Sequence, residues 1–457
     1  MRKTWKRIGI VALVFSMSFL SGCSSNEEEK PSDNTGDTLQ QVTLSESQKK
    51  LAVDFTKDFL DKDYDKILKD YAFDEQMKAE FEKEAFQKQL TDSLTAFGSL
   101  KQQLAPYGES YRGSVNISIP CVFEKQSFNI VLSLNAKDQI QGLFIKPYNE
   151  GPSSSSLPDG VKETTVDLKI DNSHTLPGTL TTPAQGENFP VVILVAGSGP
   201  NDRDETIKQN KPFQDIAWKL AEKGIASYRY DKRTYVYPKE FTLQDTVKQE
   251  VSDDVLLAIK TMEENKVIDN KQIYVLGHSL SGYLMPRIAS QTTVPAGYIL
   301  MAAPTRPLED IFVEQIEFLA KEDGKVSEEE QKVIDKYKED RNKVKQLDQM
   351  KDNEVVFGAL SKAYMNDLKD YNPVDTAKNM DKLVMVAQGL RDYQVTQADY
   401  DAWFKAYGNA DNWTFHTYPK TNHIFMDGEG KASSADYDKK GEVNDDFIKD
   451  IVNFMKQ

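Results

Sequence analysis

The hydrophobic rhythm of the chain changes near residue 150. Before that point Leu51, Phe55, Phe59 and Leu60 recur at helical spacing with charged residues between them, so the stretch from about 43 to 103 is expected to be helical. Strand-like runs follow at 114–122, 128–134 and 139–145. Helices ahead of an antiparallel meander predict a small α+β domain over 43–148. The run Asn149-Glu150-Gly151-Pro152-Ser153-Ser154-Ser155-Ser156 reads as a linker, spanning 149–160. From 161 to 457 short apolar runs alternate with helical segments. Strands are expected at 164–170, 179–182, 191–195, 226–230, 273–276, 297–302, 383–387 and 414–418. Helices are expected at 213–223, 244–265, 282–290 and 444–456. This alternation predicts a doubly wound α/β domain with a mostly parallel sheet. A long, charged helical insertion interrupts it at about 308–377. Within it Phe312, Ile316 and Leu319 recur at i, i+4 and i+7, which fits either the packing stripe of a helix or the lining of a site.

The candidate chemistry sits just past the ends of three of these runs. In Ile273-Tyr274-Val275-Leu276-Gly277-His278-Ser279-Leu280-Ser281-Gly282 an apolar strand stops at a glycine, a serine follows, and a helical segment begins. That is the layout of a nucleophile elbow, whose strained turn tolerates only small neighbours. It departs from Gly-x-Ser-x-Gly at Ser281, with the glycine one place later at Gly282. The run 383–389 is followed by Leu390-Arg391-Asp392, and the run 413–418 by a loop carrying Asn422-His423. The chemistry wants these three types together. A serine hydroxyl needs a neutral imidazole to take its proton, and the imidazole needs a carboxylate to fix its tautomer. Ser279, His423 and Asp392 are the candidates. Asp399 and Asp401 are rival carboxylates, read here as part of the solvated surface of one helix. The order serine, acid, histidine is the α/β-hydrolase order. An oxyanion hole needs two N–H donors. Leu280, after the nucleophile, offers one, and Ser198 in Val195-Ala196-Gly197-Ser198-Gly199-Pro200 offers the other. A phosphate-binding reading of that Gly-rich turn is set aside, because no Lys-Ser/Thr follows it.

From about residue 160 onward the chain resembles bacterial α/β-hydrolases of the dienelactone hydrolase and serine-esterase type. The resemblance rests on Val195-Ala196-Gly197-Ser198-Gly199-Pro200-Asn201-Asp202-Arg203-Asp204, Tyr228-Arg229-Tyr230-Asp231-Lys232-Arg233, the elbow, Gln388-Gly389-Leu390-Arg391-Asp392 and Asn422-His423. It implies hydrolysis of a small-molecule carboxylic ester through an acyl-enzyme, without a cofactor, and it implies that the insertion at 308–377 caps the site. A serine peptidase of the same fold and a non-catalytic binding lipoprotein are the alternatives. The segment before 150 is similar to small α+β domains found ahead of such hydrolases in Gram-positive lipoproteins, which implies no activity.

The chain ends and the charge place this reading in a setting. Met1-Arg2-Lys3-Thr4-Trp5-Lys6-Arg7 is basic, residues 8–20 are mostly apolar, and Leu20-Ser21-Gly22-Cys23 follows. The apolar run has secretory proportions and is short for a membrane span. Residues 1–23 therefore read as a lipoprotein signal with Cys23 lipidated, and 24–42 as a polar tether. The expected location is the outer face of a bacterial cell membrane, held by lipid alone. Net charge is −15, and loss of the four basic residues of the signal takes it to −19. That argues against nucleic acid and against docking to anionic lipid. With Cys23 lipidated, Cys121 stands alone in a strand-like run and reads as a buried thiol. Four histidines without H-x-H or H-E-x-x-H spacing offer no metal site. Among them His278 reads as buried scaffold and His416 as packed. Arg203 reads as the loop-fixing partner of a nearby acid.

Overall fold

The computed structural model describes residues 40–42, 44–111, 114–123, 127–147, 157–238 and 240–457. The expected signal segment, Cys23 and most of the expected linker lie outside these residues. Two compact units meet in sequence between Ser156 and Leu157.

Among its described residues the first unit combines four helices with an antiparallel sheet. The helices are α1 (Glu46–Leu60), α2 (Tyr64–Asp70), α3 (Glu75–Phe81) and α4 (Glu84–Phe97). The strands are β1 (Gln40–Val42), β2 (Leu100–Gln103), β3 (Tyr107–Tyr111), β4 (Ser114–Phe123), β5 (Ser127–Leu134) and β6 (Ile140–Pro147). Ser45 caps α1 in a capping box with Gln48, satisfying two otherwise orphaned N–H groups. The apolar positions read from sequence then do their work: Phe55 and Phe59 are fully buried and join one core with Ile117, Ile119, Ile130 and Leu132 of the sheet. Cys121 is buried in β4, and burial pushes its thiol up to about 12. Two expectations change here. Leu100–Gln103 was expected to be helical and instead pairs with β4, as an exposed polar strand with no alternation to betray it. Gln40–Val42, at the end of the expected tether, pairs antiparallel with β3.

The second unit is built on an eight-stranded sheet. Its strands are β7 (Val161–Thr165), β10 (Gly178–Pro183), β11 (Phe189–Val195), β12 (Ala226–Tyr230), β13 (Ile268–His278), β14 (Gly297–Met301), β17 (Leu383–Gly389) and β18 (Trp413–Tyr418), ordered β18-β17-β14-β13-β11-β12-β10-β7. The six strands from β18 to β12 run parallel, and β10 and β7 are antiparallel to their neighbours. Between β7 and β10, the two-residue strands β8 (Leu168–Lys169) and β9 (Thr175–Leu176) pair with each other, so the single strand expected at 164–170 is broken.

The apolar runs of the central strands serve two cores at once, because successive side chains alternate faces. Val191, Ile193 and Val195 of β11 face one side with Ile273 and Val275 of β13. Val192 and Leu194 face the other with Tyr274 and Leu276. The first face is covered by α7 (Asp253–Glu263), α8 (Leu280–Ala289) and α13 (Gln397–Tyr407). The second is covered by α5 (Pro212–Ala221) and α14 (Asp445–Phe454). This is the α/β-hydrolase fold. The short helix α6 (Arg233–Val236) follows β12, and a π-helical turn, Lys248–Ser252, precedes α7.

The insertion between β14 and β17 holds α9 (Leu308–Lys321), α10 (Glu328–Val344), the short paired strands β15 (Val355–Val356) and β16 (Leu360–Ser361), α11 (Lys362–Leu368) and α12 (Pro373–Thr376). Phe312 packs on Phe357, and Ile316 packs with Ala320 and Ile334, which is the packing-stripe reading for these two positions. Val344, Phe357, Tyr364 and Met365 belong to the core on the α7 and α8 face, so much of the insertion is packed into the domain.

Candidate active site

The elbow forms where β13 ends at His278 and α8 starts at Leu280. Ser279 sits between them at φ 52° and ψ −117°. A non-glycine residue there costs on the order of 1–3 kcal/mol and persists only where its surroundings over-determine it. They do. A Cβ at Gly277 would lie 2.7 Å from the backbone of Ser281, and one at Gly282 would lie 2.7 Å from Ala303 Cβ. The departure from Gly-x-Ser-x-Gly has a structural answer: Ser281 is fully buried, and its hydroxyl donates to the Ala196 carbonyl at 2.5 Å.

The acid and histidine candidates meet. Asp392 lies just past β17 and His423 past β18, and His423 Nδ1 donates to Asp392 Oδ2 at 2.7 Å. Asp392 Oδ1 accepts the backbone N–H groups of Gln394 at 2.7 Å and Val395 at 3.0 Å, which fixes the carboxylate. A carboxylate accepts only, so His423 Nδ1 carries the proton of this bond. The His423 loop is tied to the elbow through His278, whose Nε2 donates to the His423 carbonyl at 2.9 Å. The two rings lie 4.5 Å apart.

The loop after β11 runs directly against Ser279: a Cβ at Gly197 would be 3.1 Å from Ser279 Cβ. Its polar atoms are held one by one. Gly197 N–H donates to Glu205 Oε1 at 2.6 Å, and Gly199 N–H to Glu250 Oε1 at 2.9 Å. Lys232 Nζ donates to the Gly197 carbonyl at 2.5 Å, and Asn201 Nδ2 to the Ser198 carbonyl at 3.0 Å. Between them, Ser198 N–H makes no hydrogen bond among the described residues. Leu280 N–H, at the first position of α8, has no intrahelical acceptor.

Two buried ion pairs lie behind this loop; the sequence reading placed His278 as buried scaffold and Lys232 in a loop-fixing ion pair, and missed their partners Glu205 and Glu250. Glu205, itself at φ 51°, accepts from His278 Nδ1 at 2.8 Å while holding Gly197. Burial pushes the His278 imidazole down. The adjacent Glu205 carboxylate, together with the His423 carbonyl and the Asp392 charge, outweighs burial, and the net direction is upward. Both ring nitrogens face acceptors, as an imidazolium requires. The second pair is Lys232 with Glu250, 2.8 Å apart. Only long-range folding brings Glu205 and Glu250 to these partners, and no local pattern in the sequence marks the two glutamates.

The remaining candidates fall elsewhere. Asp399 is not a solvated helix residue: it is fully buried and accepts from Thr305 N–H at 2.8 Å and Arg306 at 2.7 Å, pinning the loop after β14. Asp401 is exposed. Arg203 makes a two-pronged ion pair with Asp231 at 2.9 Å per contact. His416 pairs with Asp450 on α14, and His174 with Asp171 in a turn. Among the described residues no group of three or more His, Cys, Asp or Glu side chains is arranged to hold a metal ion. No helix among them is long and apolar enough to cross a membrane.

No family model matches the chain. It is 35% identical over 367 residues to Esterase EstD of Thermotoga maritima, covering 80% of this chain and 85% of that one. The match is longer than the second unit and so reaches into the first. Among solved structures, it resembles Est1E from Butyrivibrio proteoclasticus at 16% identity and TM-score 0.40, covering 57% of this chain and 90% of that one. It resembles the α/β hydrolase GrgF from Penicillium sp. sh18 at 17% identity and TM-score 0.43, covering 65% and 98%. The identity to EstD over four fifths of the chain, on a sheet of α/β-hydrolase order, makes this protein a member of the esterase family to which EstD belongs.

Proposed function

We propose that the protein is a serine esterase that cleaves carboxylic esters of small molecules through an acyl-enzyme. The observation that carries this reading is the Asp392-paired imidazole of His423, joined through His278 to the strained turn that presents Ser279. In this mechanism His423 Nε2 takes the Ser279 proton as Oγ attacks the ester carbonyl. The carbonyl oxygen becomes an oxyanion received by the N–H groups of Ser198 and Leu280. Collapse expels the alcohol, which takes the proton from His423. Water, activated by the same imidazole, then releases the acid and regenerates the serine. Asp392 holds the tautomer and stabilises the imidazolium. Ser279→Ala is expected to lower kcat on an activated ester by roughly 10³-fold or more. His423→Ala and Asp392→Asn should each lower it by orders of magnitude, and most of the activity surviving in Ser279→Ala would sink the assignment.

We also propose, from the basic and then apolar start of the chain followed by Leu20-Ser21-Gly22-Cys23, that the enzyme is held at the outer face of a bacterial membrane through a lipid on Cys23. One acyl chain binds a membrane only marginally and two or more bind stably, so a diacylglyceryl group on Cys23 suits a domain as acidic as this one. Cys23→Ser should release the protein from the membrane fraction or leave it unprocessed. Processed Cys23→Ser protein that stays membrane-bound like the wild type would remove the anchor from the account.

A further inference from the structure

The insertion reaches the loop that carries Ser198. Tyr364, on α11, is buried, and its hydroxyl donates to Glu250 Oε2 at 2.7 Å. The other oxygen of the same carboxylate accepts Gly199 N–H and the Lys232 ammonium, and that ammonium also holds the Gly197 carbonyl. One carboxylate thus joins the insertion to both sides of Ser198. We propose that Tyr364 is a positioning residue for the oxyanion loop, acting through Glu250. This rests on the reading of Ser198 N–H as an oxyanion donor.

Two features of the geometry argue for it, and the protonation of the phenol agrees with them. Glu250 lies in the π-helical turn ahead of α7, and one extra residue per turn is a device often found where a side chain must be re-aimed at a functional site. Among the described residues Tyr364 is the only partner of Glu250 Oε2, so without the phenol the carboxylate can rotate about its terminal bond and slacken its grip on Gly199. Burial, with the Glu250 carboxylate beside it, holds the phenol well above its usual range, so it remains a donor at any working pH. Preorganised N–H groups act in the transition state because they need no rearrangement when charge develops. A loop free to shift by a fraction of an ångström would lose that advantage while binding the ground state as before.

The test uses the full chain and compares Tyr364→Phe with Tyr371→Phe. Tyr371 makes a similar bond from the insertion, donating to the Tyr283 carbonyl at 2.8 Å, without touching the oxyanion loop. Readouts are kcat and KM on a short p-nitrophenyl ester, Ki for a matching trifluoromethyl ketone, and fluorophosphonate labelling of Ser279. Removing an oxyanion donor outright costs about 10²–10³ in kcat, so loosening one is expected to cost roughly tenfold. Tyr364→Phe should lower kcat by that factor with KM within about twofold, and raise Ki for the ketone in parallel. Tyr371→Phe should keep near wild-type kcat and Ki. If Tyr364→Phe fails to fold, Glu250→Asp, which keeps the charge opposite Lys232 but shortens the reach, should give the same kcat and Ki pattern. Unchanged kcat and Ki in Tyr364→Phe, or an equal fall in Tyr371→Phe, overturns the linkage. Wild-type protein that is not labelled at Ser279 overturns the underlying reading instead.

Discussion

Ser281 and Ala196 are joined by a 2.5 Å hydrogen bond from the buried hydroxyl to the backbone carbonyl, which ties the first turn after Ser279 to the strand end that opens the loop carrying Ser198. The residue that breaks the sequence motif therefore makes a bond of its own across the site. Ser281→Ala leaves a buried carbonyl without its donor and is expected to cost roughly 1–3 kcal/mol of stability. Ser281→Gly should cost at least as much, because it loses the same bond and adds backbone entropy to the unfolded chain. Urea unfolding measures both, and midpoints equal to wild type would show that the bond does not stabilise the fold.

The Glu205–His278 pair makes a second prediction. Removing one partner of a buried pair costs about 3–5 kcal/mol, because the other is left uncompensated. Burial works against the His278 charge, but the Glu205 carboxylate, the His423 carbonyl and Asp392 together hold its titration above the usual value. A raised histidine contributes stability that is fully present below its unfolded value and is lost as pH rises through the folded one. Glu205→Gln should therefore destabilise the protein most at acidic pH, with the gap to wild type narrowing at alkaline pH. Urea midpoints at pH 5.5 and pH 9 check this, and a gap that widens with pH would contradict it.

Much of the hydrolase unit was legible in the chain because its central strands are buried on both faces. Continuous apolar runs such as Val191 to Val195 announce themselves, and Ser279, Asp392 and His423 each follow such a run. Misreadings arose where burial was not local. Asp399 occupies a helical position that reads as solvated, yet the loop at Thr305 and Arg306 closes over it. The stretch expected as one helix at 244–265 holds a π-turn that aims Glu250 inward, and hydrophobic period alone does not reveal such a turn. Glu205 and His278 are 73 residues apart, so only the fold pairs them.

Asp202, which follows the loop carrying Ser198, makes a third prediction. Burial, with the nearby Asp204 charge, pushes its carboxyl up to about 6. The folded state then binds this proton more tightly than the unfolded state, so its contribution falls as pH rises from about 4 to 6. Asp202→Asn can still accept from Thr206 N–H, the bond Asp202 Oδ1 makes at 2.9 Å. It should match wild type near pH 4 and exceed it at pH 8, by at most roughly 3 kcal/mol. Thermal unfolding across that range checks the sign, and a variant less stable than wild type at pH 8 would refute it.

The central claim is that Ser279 is the nucleophile, and covalent mapping tests it most directly. The native protein is labelled with a fluorophosphonate, digested, and the modified peptide identified by mass spectrometry. One adduct is expected, on Ser279, absent from Ser279→Ala and strongly slowed in His423→Ala. An adduct on another residue, or none in protein that hydrolyses esters, would contradict the account.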